Sequence, residues 1–152
     1  MQALPHHYDV TVTAGDRTPI EITSPELNVL VSAPPREFGG PGYLWSPETL
    51  TVAAVADCFV LTFRAIAAAS RFEWTKLVCD GRGVVDRPDG IMRFTGIHLN
   101  AQLTLPPGAD TEKARKLLEK AEKHCLVGNS LKFEPTLDVD IKFDERILAP
   151  TA

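Results

Sequence analysis

Two cysteines, Cys58 and Cys125, are the residues best suited to chemistry in this chain, and they lie 67 residues apart. Each falls on the apolar stripe of its own expected helix. The first belongs to Ala56-Asp57-Cys58-Phe59 and the second to Lys123-His124-Cys125-Leu126. Neither forms a CxxC pair, which excludes a thioredoxin-type motif. Two such thiols point to nucleophilic or redox chemistry, or else to core packing, because a buried cysteine also behaves as a small hydrophobe. Cys79, in the strand-like run Lys76-Leu77-Val78-Cys79, reads as packing alone.

Composition narrows the choice. At 152 residues the chain has one domain's length, and 44% hydrophobic with 24% charged residues is ordinary for a globular fold. A net charge of −4 without a basic face argues against a nucleic-acid partner. The start, Met1 to Tyr8, lacks a basic segment followed by an apolar run, so the expectation is a cytoplasmic protein without a signal peptide or membrane anchor. Three cysteines are too few for a disulfide scaffold, and in a reducing compartment a disulfide is transient and catalytic. No spacing of His and Cys resembles a zinc signature. His124 reads as an exposed helix-end residue favoured by the helix dipole, and His6, His7 and His98 as incidental.

The elements that must position the thiols follow from periodicity. Residues 8–13 alternate as a strand, and 20–31 supply one or two more. A Pro- and Gly-rich loop covers 33–42. Ser46 is a good N-cap with Pro47 at the first helical position, opening a helix that runs to about Ser70. Its length and apolarity are compatible with a membrane span, but Asp57, Arg64 and the alanine content favour a buried central helix. Residues 73–85 and 91–105 form a hairpin around Arg87-Pro88-Asp89-Gly90. Ala114, Leu117, Leu118, Ala121 and Cys125 then mark the buried face of a second helix, ended by Gly128-Asn129-Ser130. Leu137, Val139, Ile141 and Phe143 alternate as a last strand. The fold class is α+β, mostly antiparallel, in a single domain over 1–152.

The motifs Pro47-Glu48-Thr49-Leu50, Ala56-Asp57-Cys58-Phe59 and His124-Cys125-Leu126-Val127-Gly128-Asn129-Ser130-Leu131 together resemble the OsmC/Ohr family of thiol peroxidases. The loop Pro34-Pro35-Arg36-Glu37-Phe38-Gly39-Gly40 is similar to that of the organic-hydroperoxide-resistance branch. The resemblance implies an OsmC-like fold, with antiparallel sheets around a long buried central helix in an intertwined homodimer. It implies Cys58 as the peroxidatic cysteine, Cys125 as the resolving one, Glu48 as the carboxylate and Arg17 as the activating arginine, with Arg36 as the alternative. It further implies a Cys58–Cys125 disulfide, no cofactor, organic hydroperoxides as substrate, and an external dithiol reductant that in the family is often a lipoylated protein. The chain departs from the family pattern at Asp57, Leu126 and Gly128.

Those residue types suit the chemistry. A thiolate attacks the O–O bond, and an ordinary cysteine with pKa ~8.5 is mostly protonated at neutral pH. A guanidinium stabilises the thiolate, a carboxylate orients the guanidinium, and a second thiol converts the sulfenic acid to a disulfide. Cys125, placed near a helix C-terminus, should be the less ionised of the two. Phe59, Phe63, Tyr43, Leu44 and Trp45 are candidates for an apolar pocket, with Phe63 better suited to the core. Helix arithmetic adds that Glu48 and Cys58, ten residues apart, are about 15 Å apart along one axis. An unbroken helix therefore requires Glu48 to serve another subunit's Cys58. The alternative function is a non-catalytic OsmC-like dimer that binds a small hydrophobic ligand.

Overall fold

A computed structural model describes residues 3–144. The chain divides after Leu50 into two compact units. In the first, β1 (Thr11–Thr13), β2 (Ile20–Thr23) and β3 (Leu30–Ser32) form an antiparallel sheet in the order β1-β2-β3. A 3-10 turn, Arg36–Phe38, interrupts the Pro/Gly loop. The long helix α1 (Pro47–Ala69) begins as its cap predicts. Thr49 N–H donates to Ser46 Oγ at 3.2 Å and Ser46 N–H donates to Thr49 Oγ1 at 2.9 Å, so each residue satisfies an end group of the other.

The second unit carries the core. β4 (Lys76–Asp86), β5 (Arg93–Leu105) and β6 (Thr136–Phe143) form a sheet in that order. The expected hairpin is present, turning through Pro88–Gly90. β6, however, runs parallel to β5, which the strand pattern does not reveal. A parallel neighbour needs a crossover, and α2 (Thr111–Lys123) with the short α3 (Leu126–Asn129) supplies it. The inner face of β5 is the centre of the core: Ile97, Leu99, Ala101, Leu103 and Leu105 are all buried. α2 is capped by Asp110, whose carboxylate accepts from Lys113 N–H at 2.9 Å, and buries Ala114, Leu117, Leu118 and Ala121 as the periodicity requires.

α1 differs from the expectation of a buried helix. Only the stripe Val55, Phe59, Phe63 and Ala67 is buried, at the i, i+4, i+8 and i+12 positions of one face. The opposite face is open and largely apolar, with Leu61 49% exposed and Asp57 and Arg64 as its charges. The buried side packs closely because β4 lacks side chains where α1 crosses it. A Cβ on Gly81 would lie 2.9 Å from Val52 Cγ1, and one on Gly83 2.6 Å from Val52 Cγ2 and 2.7 Å from Phe94 Cε1. Phe63 meets Trp74 edge-on, with ring centroids 5.3 Å apart, and so belongs to the core as expected.

Candidate active site

Cys58 lies three residues, about five-sixths of a turn, beyond the buried stripe residue Val55 and is half-buried. Cys125 is 3% exposed. It does not sit on α2: the helix ends at Lys123, His124 caps it, and Cys125 is the N-cap of α3. The i+11 apolar position survives because the chain turns inward there while the side chain keeps facing the core. The two thiols, 67 residues apart in sequence, are neighbours in the fold, close enough for Cys58 to raise the pKa of Cys125.

Backbone groups complete the surroundings of the sulfurs. Val127 N–H donates to Cys58 Sγ at 3.5 Å, Gly128 N–H donates to Cys125 Sγ at 3.4 Å, and Cys125 S–H donates to the carbonyl of Val55 at 3.8 Å. The first turn of α3 thus aims one donor at each sulfur. Cys125 nonetheless resists ionisation. Burial pushes its pKa from an ordinary 9.0 up to about 11, the neighbouring Cys58 adds to the rise, and the Gly128 and Val127 N–H groups oppose it. The expectation is that a helix C-terminus disfavours the Cys125 thiolate; the thiolate is disfavoured, but desolvation causes it, and Cys125 caps the N-terminus of α3. Cys79 is pushed up to about 11 as well, first by burial and then by Asp80 and Cys125.

Cys58 opens onto a groove of about 570 Å³ floored by Leu61, Ala65, Ile66 and Val127. Asp57, Lys120 and His124 edge it. His124 is the exposed helix-end residue expected, capping α2; its Nδ1 lies 2.8 Å from the Lys120 carbonyl, so the other ring nitrogen is the one available to the groove. The groove donor Val127 was also missed, because a backbone N–H has no side-chain signal. Phe59, an expected pocket wall, is fully buried and lines a different cavity, with Cys125.

In the first unit, Arg17 is 94% exposed and lies 3.6 Å from Asp16. Arg36 is exposed too, its side chain laid against Gly42, and Tyr43 and Trp45 are 81% and 48% exposed. Glu48 has a buried carboxylate oxygen, Oε2, without a hydrogen-bond partner among the described residues. The thiols are brought together; an Arg–Glu pair involving Glu48 is not formed among the described residues.

This geometry is accompanied by family evidence. The OsmC-like protein family model matches residues 40–140, and the chain belongs to the OsmC/Ohr family. It is 26% identical over 140 residues to the protein YmaD of Bacillus subtilis, covering 89% of this chain and 93% of that one. It is 30% identical over 97 residues to the peroxiredoxin OsmC of Escherichia coli, covering 64% and 67%. Among solved structures, an OsmC-like protein of Vibrio cholerae superimposes with a TM-score of 0.82 at 16% identity, covering 89% of this chain and 99% of that one. An organic hydroperoxide resistance protein of Legionella pneumophila gives 0.69 at 25% identity, covering 94% and 99%. The fold is therefore OsmC-like, with two three-stranded sheets and a long helix, in a family that includes peroxidases.

Proposed function

We propose that this protein is a cysteine-based peroxidase that reduces organic hydroperoxides. The observation that carries the reading is the proximity of Cys58 and Cys125, served by the consecutive Val127 and Gly128 N–H groups, with Cys58 open to an apolar groove and Cys125 buried and protonated. Cys58 thiolate attacks the O–O bond, the alcohol leaves, and Cys58 becomes a sulfenic acid. Cys125, already its neighbour, displaces water from it to give the disulfide. An external dithiol then restores both thiols by exchange, and no bound cofactor takes part. The apolar floor of the groove favours bulky hydroperoxides over hydrogen peroxide.

The working form is a homodimer in this reading. α1 is continuous from Pro47 to Ala69, which supports Glu48 of one copy serving Cys58 of the other, across about 15 Å of helix that it cannot span within its own chain. The open apolar face of α1 and the partnerless Glu48 oxygen support the same arrangement, with Arg17 or Arg36 supplying the guanidinium.

The test is peroxide consumption with cumene hydroperoxide and a dithiol, alongside Cys58→Ser. Wild-type protein should consume peroxide, and one equivalent should yield a Cys58–Cys125 disulfide by non-reducing mass spectrometry. Equal persistence of peroxide with both proteins would instead favour a non-catalytic dimer binding a hydrophobic ligand, which the exposed Asp57 carboxylate beside the thiol favours. A fully active monomer in sedimentation analysis would remove the dimer.

A further inference from the structure

Although the two thiols are neighbours, they open onto different spaces. Cys58 lines the groove with Leu61, Ile66 and His124 and is absent from the lining of the second cavity. Cys125 lines that cavity, about 520 Å³ in volume, with Leu99, Leu131, Phe133 and Pro135, and is absent from the lining of the groove. We propose that peroxide and reductant use separate entrances: peroxide meets Cys58 in the groove, and the thiolate of a small polar thiol attacks Sγ of Cys125 through the second cavity. The proposal rests on the peroxidase reading only for how the disulfide arises.

Four observations carry it. Displacement at sulfur brings the attacker in line with the bond that breaks, so the attacker needs room on the side of Cys125 away from Cys58. A cavity lined by Cys125 and not by Cys58 provides that room. The leaving group is also better on this route: Cys58 departs with the Val127 N–H already aimed at its sulfur, whereas burial opposes a Cys125 thiolate. Gly128 keeps the approach clear, since a Cβ there would stand 3.4 Å from Cys125 Sγ and 3.5 Å from Pro135 Cγ. Finally, the two spaces differ in chemistry. Glu122, Lys123, Lys132 and Glu134 line the cavity with both charge signs, which suits a polar thiol, while the groove floor suits a hydrocarbon hydroperoxide.

The electrons balance in two exchanges. The incoming thiolate forms a bond to Cys125 Sγ, the Cys58–Cys125 bond breaks, and Cys58 leaves as a thiolate. A second thiolate from the reductant then attacks the reductant's own sulfur in the mixed disulfide. The reductant departs as a disulfide, oxidised by two electrons, and Cys125 takes up a proton from water.

The experiment starts from the disulfide made with diamide, so that it runs whether or not the protein turns over peroxides. The oxidised protein is mixed with 2-mercaptoethanol, acid-quenched within milliseconds to seconds, alkylated and mapped by mass spectrometry. The adduct should lie on Cys125 with Cys58 alkylated; an adduct mainly on Cys58 overturns the proposal, as does failure of diamide to form the disulfide. Leu131→Trp, which fills the cavity, should slow reduction of the disulfide by dithiothreitol about tenfold or more. Alkylation of reduced Cys58 by iodoacetamide, read as the control for the groove, should stay within about twofold. Unchanged reduction, or equal slowing of both, overturns the separate entrances. A protein that forms and loses its disulfide in this pattern yet ignores cumene hydroperoxide would fail the peroxidase reading alone.

Discussion

Along α1, Val55, Phe59, Phe63 and Ala67 are sealed against the second sheet, while Ala54, Leu61 and Ala65, a fraction of a turn away, stand in the open groove. Both faces are largely apolar, the open one carrying Asp57 and Arg64 as its charges. Hydrophobicity therefore does not separate the face that holds the fold from the face left open; only the packing partner does. Cys58 belongs to the open face. Cys125 is tied to the buried one, through its S–H bond to the Val55 carbonyl.

That contrast predicts a clean separation of phenotypes. The largest effect is expected on the open face: Cys58→Ser should lower hydroperoxide turnover roughly a thousandfold or more, as loss of a nucleophile does, with the melting temperature nearly unchanged. A comparable loss of stability would place Cys58 with the core instead. On the sealed face, Phe59→Ala should cost about 3–5 kcal/mol in denaturant unfolding, since it empties a fully buried ring site.

The third effect is pH-dependent. Cys125 is raised from 9.0 to about 11, so folded and unfolded chains are alike in holding its proton below about pH 8.5. Between about pH 9 and 11 the unfolded chain releases that proton and the folded chain keeps it, so the stability of the reduced protein should fall with rising pH. Cys125→Ala should flatten that fall by about 3 kcal/mol, leaving a comparable part due to Cys79, which is raised to about 11 as well. An unchanged slope would mean that Cys125 is not desolvated. The smallest effect on folding is expected for Leu61→Glu, within about 0.5 kcal/mol, because Leu61 supports no core. If the open face joins two copies, the same variant should halve the sedimenting mass, and a dimer that survives it would locate the interface elsewhere.

Much of this was legible in the sequence. Ser46-Pro47 fixes the start of α1, the Pro88-Asp89-Gly90 turn fixes the β4–β5 hairpin, and the motifs around Cys58 and Cys125 mark the pair that the fold brings together. The remainder was hidden for definite reasons. Strand alternation at Leu137, Val139 and Ile141 reports which face is buried and is silent on whether a neighbour runs parallel. The helical period carries Cys125 past the end of α2 because a side chain can keep facing the core after the backbone has left the helix. The Val127 and Gly128 donors are main-chain atoms. The lining role of Lys120 and His124 depends on where α2 lies against α1, which no local pattern encodes.

The bare positions Gly81 and Gly83 act as a gauge for the whole assembly. They let Val52 of α1 nest against β4, and so they set how deep the first turns of the helix ride on the sheet. Cys58 stands less than two turns further on, while its donor Val127 and its neighbour Cys125 are anchored on the crossover between β5 and β6. A methyl group added at either glycine would act like a shim under one end of a beam, tilting the thiol away from a partner held by a different support. Two residues with no side chain, remote from the sulfurs in sequence, thereby set the clearance at which one sulfur can reach the other.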